Sequence, residues 1–138
     1  MKDKFYLLIA GGRDYDNANN IILFINSAMN AAKKNDQQLI IVHGAAKGAD
    51  SLAGQLAQEA GLMVVPFPAE WYPDNKYDNA AGYKRNVNMA DFLVEKKDEG
   101  HRAEVLTFAG GKGTAHMRDI ANKKGLKLVV AAEPRTEN

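Results

Sequence analysis

Three glycine-containing turns hold most of the side chains that could do chemistry. They are Gly11-Gly12-Arg13-Asp14, residues 43–50 (His-Gly-Ala-Ala-Lys-Gly-Ala-Asp) and Gly110-Gly111-Lys112-Gly113-Thr114. Glycine allows backbone N–H groups to approach an anion closely, and the N-terminus of a helix that follows such a turn attracts negative charge. Together, the three turns predict a pocket for a phosphate-bearing ligand.

The last of the three turns has the residues best suited to a phosphate. Its glycines leave the backbone accessible, Lys112 adds a positive charge, and we expect Thr114 to cap the helix that follows. A single turn of this kind is as often only a tight connection that needs a positive φ. None of the turns has the Walker A pattern or the full Gly-x-Gly-x-x-Gly spacing, so neither ATP hydrolysis nor dinucleotide redox chemistry is indicated.

Three basic side chains are candidates for contacts to a phosphate or a ribose phosphate. They are Arg13, Lys47 and Arg85. A guanidinium binds two phosphate oxygens at once, and an ammonium acts as a point charge. Charged side chains are also commonly just exposed to solvent, and that alternative stays open for each of the three.

Acid–base chemistry would need a carboxylate, and three stand in or near these segments: Asp14, Asp50 and Glu70. With Arg85 they are the candidate catalytic residues, and the sequence does not decide among them. His43 ends a predicted strand, where it can either polarise a ligand or be a satisfied, half-buried histidine.

The other two histidines, His101 and His116, are expected at the surface. No combination of His, Asp and Glu has the spacing of metal ligands, so no metal site is predicted. The sequence firmly implies no cofactor.

Residues 68–81 carry a group of aromatic side chains. Trp71, Tyr72 and Tyr77 could stack on a base and cover the pocket as a lid. The alternative is that these rings only seal the edge of the core.

The turns require strands that end on one side of a sheet. Short apolar runs predict five strands, at residues 5–10, 39–42, 63–67, 104–108 and 127–130. Apolar residues at helical spacing predict four helices. The first covers residues 18–34, and the third covers residues 82–95. The second runs from the second glycine-containing turn to a cap at Gly61, and the fourth runs from the third glycine-containing turn to Gly125. Residues 68–81 are predicted as an ordered loop and residues 96–102 as a charged connection. This alternation predicts an α/β fold, a Rossmann-like three-layer sandwich with a parallel sheet of about five strands.

Length and composition predict a single domain at residues 1–132 with a polar tail at residues 133–138. With 18 basic and 17 acidic residues, the formal net charge of +1 creates no field that would gather nucleic acid or an anionic membrane. There is no cysteine, no secretory leader and no apolar run near the roughly 18 residues that cross a bilayer. We expect a cytoplasmic protein with a small nucleotide-like ligand and no membrane partner. A nucleic-acid partner is disfavoured, and a homo-oligomer is left open.

At these turns the sequence resembles the YspA-like family of the SLOG superfamily, which also contains the Smf/DprA proteins and the Lonely Guy phosphoribohydrolases. The resemblance is carried by five blocks: Gly11-Gly12-Arg13-Asp14-Tyr15, residues 42–50, residues 67–71, Arg85-Asn86-x-x-Met89 and residues 110–114. It implies a Rossmann-like fold, a pocket for a nucleotide or nucleotide-like ligand, and an origin in bacteria or their phages.

The predicted ligand-binding residues combine the turns with these blocks. They are Gly11, Gly12, Arg13, Asp14, His43, Gly44, Lys47, Asp50, Trp71, Arg85, Asn86, Gly110, Gly111, Lys112, Gly113 and Thr114.

One departure from the related enzymes limits what the resemblance implies about catalysis. The Lonely Guy pattern Pro-Gly-Gly-x-Gly-Thr-x-x-Glu ends in a catalytic glutamate, and here that position is Met117, while Ala109 replaces the proline. A thioether cannot take a proton from water or stabilise an oxocarbenium-like centre as a carboxylate does. Whether the protein is an enzyme therefore stays open.

Three functions are compatible with these observations. The first is a protein that binds a nucleotide or an ADP-ribose-like ligand as a sensor, a sequestering protein or a processing protein. The second is an N-glycosidic hydrolase of nucleoside monophosphates or NAD-like nucleotides, acting through a rearranged carboxylate. The third is a single-stranded DNA-processing module of the Smf/DprA type, against which the near-neutral charge counts.

Overall fold

The computed structural model describes residues 3–133, which alternate strands with helices. In chain order the elements are β1 (Asp3–Ala10), α1 (Ala18–Lys34), β2 (Gln37–His43), α2 (Ala49–Glu59), β3 (Met63–Pro66), a 3₁₀ turn (Pro73–Asn75), α3 (Ala81–Asp98), β4 (Arg102–Thr107), α4 (Lys112–Lys123) and β5 (Lys127–Val130).

All five of these strands are parallel and form one sheet in the order β3-β2-β1-β4-β5. Helices α1 and α2 cover one face of the sheet, and α3 and α4 cover the other. The structure therefore has the three layers of a Rossmann-like α/β fold, and the predicted fold class is confirmed.

Strand β1 lies in the middle of the sheet and is buried on both faces. Phe5, Leu7 and Ile9 pack into the core beneath α1 and α2, whereas Tyr6 and Leu8 pack into the core beneath α3 and α4. Because both sets of alternate side chains are buried, β1 is an unbroken apolar run rather than an alternating pattern.

The prediction that residues 96–102 form a charged connection is wrong at both ends. Helix α3 continues through Lys96 and Lys97 to Asp98, and β4 already begins at Arg102. Basic side chains in the last turn of a helix are stabilised by its dipole, and the chain turns away only at Gly100, where φ is +96°. The charges here belong to an exposed helix end.

Residues 67–80 connect β3 to α3 as a loop, within which Pro73–Asn75 forms the short 3₁₀ turn, and Ala81 of the predicted loop already begins α3. Of the predicted tail, residues 134–138 lie outside the described residues. No helix within residues 3–133 is both long and apolar enough to span a membrane.

Candidate functional site

The strand order reverses between β1 and β4, so a crevice opens beyond the carboxyl ends of these two neighbouring strands. A cavity of about 450 Å³ lies there. Most of the predicted ligand-binding residues line it, namely Gly11, Gly12, Arg13, Asp14, Asp50, Trp71, Arg85, Asn86, Gly111, Lys112, Gly113 and Thr114.

The three glycine-containing turns are interlocked around this cavity. The backbone N–H of Gly12 donates to the carbonyl of Ala109 at 2.8 Å, and the Gly12 carbonyl accepts from the N–H of Ala49 at 3.2 Å. Gly48 has a φ of +79°, and a β-carbon there would collide with the Gly12 carbonyl oxygen. Only glycine allows the first two turns to approach this closely.

The N-terminus of α4 opens into the cavity without a side-chain cap from residues 3–133. Its N-cap residue is Gly111, and Lys112 and Gly113 form its first turn. The N–H groups of a helix's first turn have no partner within the helix. They are therefore available to an anion in the cavity.

The prediction that Thr114 caps α4 is wrong. The helix begins at Lys112, which makes Thr114 its third residue rather than the residue before it. Its side chain is buried, and its hydroxyl oxygen fills the space that a β-carbon of Gly110 would need. The Thr114 side chain thus packs against Gly110, within the third glycine-containing turn.

Asn86 on α3 connects that helix to α4. Its Nδ2 donates to the Gly113 carbonyl at 3.2 Å and lies 3.2 Å from Nδ1 of His116. Its Oδ1 accepts from Nε of Arg85 at 3.0 Å. Because Asn86 is buried, this contact fixes the first turn of α4 relative to α3.

Asp50 and Arg85 face each other across Gly44. The guanidinium Nη1 of Arg85 donates to the Gly44 carbonyl, and Oδ2 of Asp50 accepts from the Gly44 N–H at 3.0 Å. Burial raises the pKa of Asp50 to about 6, although Arg85 and the backbone N–H groups of Gly44, Gly11 and Ala46 act to lower it. A buried carboxyl that titrates near neutral pH therefore borders the cavity.

His43 lies outside the cavity lining. Its Nδ1 accepts from the Ala45 N–H at 3.0 Å, and its ring packs against Gly54 of α2. Burial, with a smaller contribution from the charge of Arg85, lowers the pKa of His43. This is the geometry of a buried, hydrogen-bonded histidine.

Four other predicted residues also lie outside the lining. They are Gly44, Lys47, Glu70 and Gly110. The side chains of Lys47 and Glu70 are exposed, whereas Gly44 is buried behind Asp50 and Arg85. Of the aromatic group, Trp71 lines the cavity, while Tyr72 and Tyr77 are 66% and 63% exposed and do not.

The sequence did not single out Asn79, Gly82 and Tyr83, which line the cavity next to Asn86. His116, expected at the surface, is half-buried, and its ring meets that of Tyr83 edge to face with centroids 4.5 Å apart. Gly82 and Tyr83 precede Asn86 by one helical turn, and this spacing is the signal that places all three on one face of α3.

Met117 is fully buried among the core side chains beneath α3 and α4. The position at which Lonely Guy enzymes carry glutamate therefore holds a core residue in this chain. Within residues 3–133, no three His, Asp or Glu side chains are grouped as a metal site would require.

The fold and the crevice at the strand-order reversal define a Rossmann-like α/β protein. The model of the YspA, cpYpsA-related SLOG family matches residues 5–72, so the resemblance found in the sequence is confirmed. The matched segment includes the first two glycine-containing turns. No curated protein matches the sequence.

One solved structure shows the same fold in a protein of very different sequence. MurG of Acinetobacter baumannii superposes on 91% of this chain with a TM-score of 0.52 and 8% identity. This chain spans only 34% of the MurG chain. Two structures of the C-terminal domain of the PF1911 hydrogenase of Pyrococcus furiosus cover 94% and 96% of this chain, and 93% and 94% of their own chains. Their identities are 12% and 14% and their TM-scores are 0.46 and 0.44. The MurG similarity describes the fold alone.

Proposed function

We propose that the cavity binds a nucleotide or a nucleotide-derived, ADP-ribose-like ligand, with a phosphate at the N-terminus of α4. The observation that carries this proposal is the uncapped first turn of α4, Lys112 and Gly113, opening into the cavity. A helix N-terminus combines free N–H donors with the positive end of the helix dipole, which is a ready anion site.

Two further features support a nucleotide over a small inorganic anion. The cavity volume of about 450 Å³ falls within the range of small-molecule sites, far above that of a single phosphate. Arg13 and Lys112 add positive charge near the α4 turn, and the Trp71 indole offers a flat apolar surface to a base. The match of residues 5–72 to the SLOG family model is consistent with a nucleotide-related ligand.

The role that fits this site is that of a binding protein, which senses, sequesters or processes such a ligand. Mass spectrometry of any small molecule released from the purified protein would identify the ligand. Isothermal titration with ADP-ribose then gives a dissociation constant that can be compared among variants.

The decisive pair of variants is Arg13→Ala and Lys47→Ala. Both residues are exposed cations in glycine-containing turns, but only Arg13 lines the cavity. Loss of a charge-assisted contact is expected to weaken ADP-ribose binding by about tenfold in Arg13→Ala and to leave Lys47→Ala unchanged. Equal losses in the two variants, or no binding by the wild type, would count against the proposed site.

One observation favours a second candidate function, N-glycosidic hydrolysis of a nucleotide. Asp50 is a buried carboxyl bordering the cavity, and its pKa of about 6 suits proton transfer near neutral pH. It would have to act in place of the glutamate that Met117 replaces.

Hydrolysis is tested by incubating the protein with AMP or NAD and measuring released base by chromatography. The hydrolase candidate requires release by the wild type and its loss in Asp50→Asn. No released base after long incubation, or equal release by both proteins, would remove Asp50 catalysis from consideration.

A further inference from the structure

Asp50 places a hydrogen-bond acceptor at the wall of a cavity otherwise suited to anions. It is the second residue of α2 and is only 4% exposed, yet it contributes to the cavity lining. An ionised carboxylate accepts hydrogen bonds and donates none. A ligand group that contacts Asp50 must therefore be a donor, such as a hydroxyl or an N–H.

The basic groups that line the cavity are of two kinds. Arg13 and Lys112 accompany the uncapped N-terminus of α4. The guanidinium of Arg85 instead lies beside a carboxylate, because a β-carbon on Gly44 would lie 2.6 Å from the Arg85 Nη1 and 2.8 Å from the Asp50 Oδ2.

The space beside Arg85 and Asp50 is therefore a poor place for another anion. The guanidinium of Arg85 is partly occupied, since it donates to the Gly44 carbonyl and to Asn86 Oδ1. A phosphate beside it would meet the buried Asp50 carboxylate, and like charges in a buried setting repel strongly. A neutral sugar with free hydroxyls meets no such repulsion.

We infer that Asp50 sets the ligand class of this site: it accepts hydrogen bonds from free ribose hydroxyls and excludes nucleotides whose ribose carries a second phosphate. This inference rests on the proposed function, because it assumes that the ligand's first phosphate lies at α4. It makes Asp50 a specificity-determining residue, independently of whether any bond is cleaved.

Charge attraction alone predicts the opposite preference. A cavity containing Arg13, Lys112 and a helix N-terminus would bind the ligand with more phosphates more tightly. The order of affinities among closely related nucleotides therefore separates a specific role of Asp50 from general attraction of anions.

The experiment uses three probes at pH 8: AMP, 2′,3′-dideoxy-AMP, and adenosine 3′,5′-bisphosphate. At this pH Asp50 is ionised, since its pKa is about 6. Isothermal titration of the wild type should show AMP binding about tenfold more tightly than the dideoxy nucleotide, and at least about tenfold more tightly than the bisphosphate.

Two variants test whether Asp50 causes this order of affinities. In Asp50→Asn the penalty on the bisphosphate should disappear, and the preference for AMP over the dideoxy nucleotide should shrink to about twofold. The matched control, Glu59→Gln, makes the same chemical change at the exposed far end of α2 and should keep the wild-type order. If Asp50→Asn does not fold by circular dichroism, the wild-type order alone decides.

The outcomes separate the two proposals. Tightest binding of the bisphosphate by the wild type, or equal binding of AMP and the dideoxy nucleotide, would overturn the role of Asp50 while leaving the nucleotide site in place. Failure of all three nucleotides to bind would overturn the proposed function, and the role of Asp50 with it.

Discussion

The indole ring of Trp71 lies nearly parallel to the phenol ring of Tyr77, with an interplanar angle of 11° and centroids 6.1 Å apart. Trp71 also lines the cavity, and it is the one tryptophan in the sequence. The pair thus joins the exposed loop at residues 67–80 to the proposed ligand site.

Tryptophan fluorescence is therefore expected to report binding. Titration with ADP-ribose should change the intensity or wavelength of Trp71 emission, because a base stacking on the indole alters its surroundings. Trp71→Ala should weaken binding by about tenfold or more by calorimetry, consistent with base stacking of 1–3 kcal/mol. Tyr72→Ala, which removes an exposed ring outside the lining, is the control and should bind normally.

Gly48→Ala should destabilise the fold. Residue 48 has a φ of +79°, and a β-carbon there would collide with the carbonyl oxygen of Gly12. We expect the free energy of unfolding in urea to fall by about 2 kcal/mol or more. Gly113→Ala is the opposite case, because Gly113 is in the first turn of α4 and a β-carbon there would meet no atom within 4 Å beyond its chain neighbours and its own helix backbone. Its stability should be unchanged or up to about 1 kcal/mol higher. Equal losses would contradict the interlocked turns.

Asp50 should make stability depend on pH in a defined direction. Burial raises its pKa in the folded protein to about 6, above the ordinary value of 3.8, so the folded state holds the proton more tightly. Its contribution is complete below the unfolded pKa and is lost as the pH rises through about 6. Relative to Asp50→Asn, the wild type should lose about 2 kcal/mol of unfolding free energy between pH 4.5 and pH 7.5. A difference that stays constant, or grows in favour of the wild type, would contradict this assignment.

Asn86→Ala should weaken both stability and binding. It removes a buried side chain together with its bond to the Gly113 carbonyl, its bond from Arg85 Nε and its contact with His116, which connect α3 to α4. Chemical denaturation should show a loss of about 1–3 kcal/mol, and the affinity for ADP-ribose should fall because the first turn of α4 is no longer fixed. Asn88→Ala changes an exposed asparagine two positions further along α3 and should have neither effect.

The sequence predicted α1 with its observed bounds from a local signal. Apolar residues recur at helical spacing, and this spacing gave the prediction. The structure adds that Asn17, directly before the helix, caps it, its side chain accepting from the Asn20 N–H at 3.0 Å. Parallel topology then brings the turns to one edge of the sheet, so Arg13 and Lys112 could be placed near each other without knowing the strand order.

Other features depend on register and packing that a single sequence does not contain. Thr114 was expected as a cap, but capping depends on the residue at which α4 begins. His43 is turned away from the cavity because Gly54 on α2 leaves room for its ring, which is a tertiary contact. The exposure of Lys47 and the cavity position of Tyr83 are likewise set by how elements distant in sequence meet.

The strand order divides the sheet into two halves that follow each other along the chain. Residues 5–72, which match the family model, contain β1, β2 and β3, whereas the uncapped turn of α4 belongs to the second half. Evolution can therefore alter the proposed phosphate-binding turn of α4 without touching the segment that matches the family model. Relatives that share residues 5–72 need not share a ligand.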